Sequence, residues 1–259
     1  MRSISKLLIG LTVAAGIFTP AAAEDAEVPA ISFKTNIYNQ YGAENSFHFL
    51  IGSTNGSEYY DVDMGFGNNE IEVGYASVVD GAWQGSTVSC RVSKEGVVNI
   101  YGDPTKIDVF IADGCYISDI DLSRCVNLDV VSLEHNELQS LDLSANTKLR
   151  AIYLSDNPGS AANPIKIGAP KPNLQILEAD IIEHFDPQFK PEYPNLLSLD
   201  LYHNMSVKSL DLAGCPKLVN LVVEFTGVDK LDLTPVPALR HLNISESRIT
   251  DIDLSKAPD

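Results

Sequence analysis

The chain has 259 residues, 44% of them apolar, and a formal net charge of −17 set by 35 Asp and Glu against 18 Lys and Arg. That length and apolar content suffice for one or two buried cores, and the carboxylate excess excludes nucleic acid as a sensible ligand, because its phosphates would be repelled. A basic protein, a neutral glycan or a cation is the partner chemistry that such a charge favours.

At the start, Arg2 and Lys6 precede the apolar run LLIGLTVAAGIF, which leads to Ala21, Ala22 and Ala23 before Glu24. This is the form of a secretory signal peptide over residues 1–23, and the run is too short for a membrane span. No cysteine follows the run, so no lipoprotein anchor is indicated. The reading is an exported protein, in the periplasm, at the cell surface or outside the cell. Removal of Arg2 and Lys6 would leave 16 basic against 35 acidic side chains, a formal charge of −19.

Residues 24–103 hold segments such as ISFKTN, SFHFLIG, YYDVDMGFG, EIEVGYA, STVSCRVS and VVNIYG. They are rich in aromatic and β-branched residues and are divided by Gly, Asn and Ser turns, which predicts about six short strands and a small β-sandwich.

Residues 104–259 repeat a phrase, LxxLxLxxN followed by an apolar residue and LDLS. Its second apolar position falls at Phe110, Val131, Ile152, Leu177, Leu199, Leu221 and Leu242, with spacings of 21, 21, 25, 22, 22 and 21 residues. These repeats resemble those of leucine-rich repeat proteins, of the kind exported by Bacteroidetes and, more loosely, of the internalin type. VDMGFGNNEIEV and GVVNIYGD resemble, more weakly, the leader segment of such Bacteroidetes proteins. The resemblance implies a mainly β chain: an N-terminal β-sandwich cap, then a right-handed solenoid with a parallel sheet on its concave side.

The residues lead to the same picture by themselves. In LxL the two apolar side chains face one side of a strand, so each repeat contributes an inward pair. Strands stacked about 4.8 Å apart would make seven repeats span roughly 30 Å. The inward Asn can bond backbone groups of the turn that leaves the strand; Cys115, Thr226 and Ser247 stand in its place in three repeats. Ile120 and Leu122, Leu141 and Leu143, Leu210 and Leu212, Leu231 and Leu233, and Ile252 and Leu254 form the returning side, where the following Ser or small residue is read as the cap of a single turn. Between them lie Asp121, Asp142, Asp211, Asp232 and Asp253. This column could be a calcium edge, but it lacks the several ligands and glycines per turn that such an edge needs, and bonding to solvent or a nearby turn is favoured. A solenoid exposes an apolar end that must be covered, which is the task read for the N-terminal strands.

The rhythm breaks between 157 and 195, which holds Pro158, Pro164, Pro170, Pro172, Pro187, Pro191 and Pro194. Loops must bulge here, either rimming a binding site or marking a decayed repeat. The last phrase, DIDLSKAPD, has no polar terminal cap, which implies a covering contact or a longer protein.

Four cysteines, Cys90, Cys115, Cys125 and Cys215, form no CxxC pair and sit where a small buried hydrophobe fits, so they are read as reduced and structural. There is no HExxH, GxSxG or phosphate-cradling loop, and no cofactor or metal is implied. The chain is read as no enzyme.

The register assigns three outward columns. The first runs Ile111, Ser132, Tyr153, Glu178, Asp200, Val222, Asn243. The second runs Asp113, Glu134, Ser155, Asp180, Tyr202, Glu224, Ser245, and the third Gly114, His135, Asp156, Ile181, His203, Phe225, Glu246. Carboxylates mixed with aromatic anchors are what a recognition surface offers. The residues singled out for partner binding are Tyr153, Glu178, Asp180, Asp200, Tyr202, His203, Val222, Glu224 and Phe225. The reading is a non-enzymatic recognition protein that binds a protein partner on this face; a carbohydrate-binding module and a structural envelope component are the alternatives.

Overall fold

The computed structural model describes residues 28–53, 58–66, 68–73, 77–79, 82–84, 86–168 and 170–255. The segment read as a signal peptide lies outside the described residues.

The N-terminal strands are β1 (Ile31–Thr35), β2 (Phe47–Gly52), β3 (Glu58–Asp63), β4 (Asn68–Val73), β5 (Ser77–Val79), β6 (Ala82–Gln84), β7 (Ser86–Cys90) and β8 (Val97–Tyr101), with a short helix α1 (Ile37–Tyr41) after β1. The repeats supply β9 (Val109–Ile111), β10 (Ile117–Asp121), β11 (Val130–Ser132), β12 (Ala151–Tyr153), β13 (Ile176–Glu178), β14 (Gln188–Phe189), β15 (Ser198–Asp200), β16 (Ser209–Leu210), β17 (Asn220–Val222) and β18 (His241–Asn243).

One strand per repeat, β9, β11, β12, β13, β15, β17 and β18, stacks in parallel with the marker residues in register, from Phe110 beside Val131 to Leu221 beside Leu242. The chain is therefore a mainly β solenoid with a parallel sheet along one side. Its interior is aliphatic: Leu128, Val131, Leu149, Ile152, Leu174, Leu177, Leu196, Leu199, Leu218 and Leu221 are fully buried. A repeat of 21 residues returns through tight turns and short extended pieces, because a helix of useful length does not fit.

At its first repeat the solenoid is continued by the N-terminal strands on both sides. On the front, β2 pairs antiparallel with β9 and then with β7, which gives a nine-stranded sheet; on the back, β10 pairs antiparallel with β1 in a five-stranded sheet ordered β10-β1-β8-β3-β4. Between these sheets lies a cluster of rings, with Phe33 and Phe49 centroids 5.7 Å apart and Phe49 and Phe110 5.8 Å apart. The apolar end of the first repeat is thus covered by aromatic surface, and the strands on either side of residue 103 share hydrogen-bonded sheets.

Two polar ladders run through the core. The inward Asn of a repeat bridges two turns: Asn136 Oδ1 accepts from the Cys115 and Ile117 amides at 3.0 and 2.9 Å, while its Nδ2 donates to the Ala112 and Glu134 carbonyls at 2.8 and 3.1 Å. Asn157 and Asn204 do the same across their own turns. The substitutes reach less far, since the Thr226 and Ser247 hydroxyls donate only to Val223 and Ile244, three residues earlier. The second ladder runs along the returning side: Cys125, Asn146, Lys171, Tyr193, Cys215 and Val236 are all buried, one per turn. Asn146 Nδ2 donates to the Leu122 and Cys125 carbonyls at 2.9 Å, Lys171 Nζ to the Leu143 carbonyl at 2.9 Å, and the Tyr193 hydroxyl to the Gly168 carbonyl at 3.1 Å. Lys171 is fully enclosed, and burial pulls its ammonium below the usual lysine range.

All four cysteines are free and buried, and burial pushes the thiols of Cys90, Cys115 and Cys125 up to about 12 and that of Cys215 up to about 11. The Asp column of the returning side is bound into its own turns. Asp121, Asp142, Asp211, Asp232 and Asp253 each accept the amide two residues on, at 2.8 to 3.0 Å. The Asp, rather than the Ser or small residue that was expected to, closes the turn. Where the LDLS phrase is missing, Phe185, Phe189 and Tyr193 fill the interior instead, with the two Phe centroids 5.1 Å apart. Gly159 is needed in this stretch, since a Cβ there would lie 2.4 Å from the His184 carbonyl oxygen.

Candidate functional site

The concave face follows from the strand register. The parallel pairs set Ile111, Ser132, Tyr153, Glu178, Asp200, Val222 and Asn243 side by side. The strands proper are only three residues long, yet the inter-turn hydrogen bonds continue past them: Leu154 N donates to the Glu178 carbonyl, Ala179 N to Asp200, and Leu201 N to Val222, at 2.8 to 3.0 Å. This keeps Glu134, Ser155, Asp180, Tyr202 and Glu224 in register as a second column.

The third column differs from the expectation. Its members were read as outward strand residues, but Gly114, His135, Asp156, Ile181, His203, Phe225 and Glu246 all have φ between 51° and 63°. They form a left-handed turn that ends each strand. The amides of the first six are held by the next turn, as in Ile181 N to the Tyr202 carbonyl at 2.8 Å and His203 N to Glu224 at 2.9 Å. Glycine occupies this position only in the first repeat. A β-branched residue such as Ile181 is strained there, at a cost of roughly 1–2 kcal/mol.

Of the residues singled out from sequence, Tyr153, Glu178, Asp200 and Val222 are neighbours in the first column, and Asp180, Tyr202 and Glu224 in the second. His203 and Phe225 stand on the rim formed by the left-handed turns. There Tyr202, His203 and Phe225 pack as a trio, with centroids 5.9 Å apart for Tyr202 and Phe225 and 5.7 Å for the other two pairs. Glu134 belongs with them, as its place in the second column already indicated.

The electrostatics of the face are unfavourable to itself. Burial, then the charges of Glu134, Asp200 and Asp180, raises the Glu178 carboxyl above its ordinary range. Burial together with Asp180 and Glu224 raises Asp200, and burial together with Asp113 and Asp180 raises Glu134. Burial, followed by Glu178 and Glu134, also raises the Tyr153 phenol. Polar neighbours relieve part of this. The Ser155 hydroxyl donates to Asp180, Tyr202 N donates to Asp200 at 2.9 Å, and Asn243 Nδ2 donates to Glu224 at 2.6 Å. Among the described residues no Lys or Arg forms an ion pair with Glu134, Glu178, Asp180, Asp200 or Glu224. Arg150 pairs with Asp129 and Lys190 with Asp211, outside these columns.

Among the described residues, no group of three or more His, Cys, Asp or Glu is placed to hold a metal ion, and no helix is long and apolar enough to cross a membrane.

No family model matches the chain, and no curated protein matches it. Among solved structures, the functional domain of InlJ from Listeria monocytogenes, described as including a cysteine ladder, is similar with a TM-score of 0.44 and 20% identity, over 61% of this chain and 39% of that one. An internalin, inlF, from Listeria monocytogenes is similar with a TM-score of 0.36 and 16% identity, over 60% of this chain and 53% of that one. The chain thus spans well under two thirds of either neighbour.

Proposed function

We propose that this is an exported, non-enzymatic recognition protein that binds a protein partner on its concave sheet, with residues 24–103 acting as a β-sandwich cap on a leucine-rich repeat unit over 104–259. The observation that carries the reading is the run of half-buried carboxylates Glu134, Glu178, Asp180, Asp200 and Glu224 without a cationic partner of their own. Such groups repel one another and have lost part of their water, so a surface presenting Lys or Arg would relieve both penalties on docking. Tyr153, Tyr202, His203, Val222 and Phe225 supply apolar and aromatic anchoring beside that charge. The test is affinity capture from surface extracts on wild type and on a Tyr202→Ala/Glu224→Ala/Phe225→Ala variant in parallel. A specific protein retained by wild type should be lost by the variant, and equal retention would show that the concave face is not the site.

The Tyr202, His203 and Phe225 trio favours a second reading, a carbohydrate surface module, because aromatic faces stack on sugar rings. A glycan array separates the two: a defined neutral glycan bound by wild type and not by Tyr202→Ala would support the sugar reading.

A further inference from the structure

A cleft on the N-terminal strands, remote in sequence from the concave columns, has features that the recognition face does not use. Three loops meet there: the turn after α1, the β3–β4 turn around Met64 to Phe66, and the β7–β8 connection from Arg91 to Gly96. Asn45, 1% exposed, joins two of them, since its Oδ1 accepts from Val92 N at 2.8 Å and its Nδ2 donates to the Val92 and Gly42 carbonyls at 3.1 and 2.7 Å. The third is tied in by Ser93 N donating to the Met64 carbonyl at 3.0 Å. Gly65, at φ +84°, allows that approach, as a Cβ there would lie 2.2 Å from Ser93 Oγ. The floor is therefore fixed by buried backbone bonds.

The cleft encloses about 440 Å³, within the range of small-ligand sites. Tyr38, Phe66, Arg91, Val92, Ser93 and Lys94 line it, and Phe66 keeps 71% of its surface exposed beside it. Arg91 and Lys94 are the charged lining residues, in a chain with 35 acids to 18 bases. Neither forms an ion pair within 4 Å among the described residues. Two nearby carboxylates are held by bonds of their own: Asp63 accepts from Gly65 N at 2.8 Å, and Glu95, next to Lys94 in sequence, accepts from Ser93 Oγ at 2.6 Å.

We propose that this cleft is a second binding site, for a carboxylate-bearing sugar such as a uronic acid residue. The guanidinium of Arg91 offers a planar fork for a carboxylate, and Lys94 adds a second positive charge. The exposed ring of Phe66 provides a flat surface for the C–H face of a pyranose, and Tyr38 also lines the cleft. An acidic peptide would share the carboxylate but lacks that stacking face. The site does not depend on the concave-face reading.

The test is calorimetric titration of the exported chain with oligogalacturonate, with a neutral galactan of equal length, and with a Glu-rich peptide. Oligogalacturonate should bind at least tenfold more tightly than either of the others. Arg91→Glu and Phe66→Ala should each weaken it at least tenfold, while Lys148→Ala, an exposed position outside the cleft and the concave columns, leaves it unchanged. Both substituted positions are exposed, and thermal melts verify that the variants fold. No binding of oligogalacturonate, equal binding of the neutral glycan, tighter binding of the peptide, or insensitivity to either cleft variant would overturn the proposal.

Discussion

The first and the last described repeats of the solenoid are built from the same phrase and meet different surroundings. At the first repeat, Phe110 is fully buried against Phe33 and Phe49, and β9 is hydrogen-bonded on both edges. At the last, Leu242, Ile244, Ile249 and Ile252 are only partly buried, Leu254 is 56% exposed, and β18 is paired on one edge among the described residues. In the polar ladder, Asn136 of the second repeat makes four backbone bonds, whereas Ser247 of the last described repeat has a shorter side chain whose hydroxyl donates once, within its own turn. Position in the stack and residue identity therefore together decide how much a repeat residue contributes to stability.

Four substitutions can break or sharpen that contrast. Phe110→Ala should cost about 4 kcal/mol, because it empties a packed aromatic site, whereas Leu242→Ala should cost about 1 kcal/mol for its smaller burial. Urea midpoints measure both, and equal losses would remove the contrast. Asn136→Ala leaves the Cys115 and Ile117 amides and the Ala112 carbonyl without this partner, while the Glu134 carbonyl keeps the Gly114 amide, and should cost about 2–3 kcal/mol; Ser247→Ala should cost less than about 1 kcal/mol.

Between the ends lies the face with stored strain and charge. Ile181→Asn relaxes a left-handed position that Asn tolerates and should raise stability by about 1 kcal/mol, read as an upward shift in Tm. Glu178→Gln removes one of the mutually repelling carboxylates and should stabilise by on the order of 0.5 kcal/mol near neutral pH. Its sign is set by linkage. Glu178 has a raised carboxyl in the folded chain, so the folded state holds more protons than the unfolded one between the ordinary and the raised value. Wild-type stability from this group accordingly falls as pH rises through that window, and Glu178→Gln should flatten the fall.

Much of this was legible in the sequence because the repeat period fixes which residues share a column. The inward leucines, the Asn ladder and the first two concave columns all follow from the 21- and 22-residue spacings. The left-handed column was not read as such, since only Gly114 announces it and the remaining members are ordinary side chains held by inter-turn bonds; His135, Asp156 and His203, types that tolerate that region, were the faint signal. Lys171 was missed because it lies in the Pro-rich, degenerate repeat, although counting 21 residues from Cys125 and a further 25 from Asn146 would have placed it in the core. The sharing of sheets between the N-terminal strands and the first repeat could not be read, because antiparallel pairing between β1 and β10, or β2 and β9, joins residues far apart in sequence and leaves no local trace.

The central claim, that the concave sheet is the docking surface, is tested most directly by hydrogen exchange on the chain alone and in complex with its captured protein partner. Amides of residues 178–181, 200–203 and 222–225 should exchange more slowly in the complex, with the Asp-capped turns at 121–123, 142–144 and 211–213 unchanged. Protection of those returning turns, with the concave strands unaffected, would contradict it.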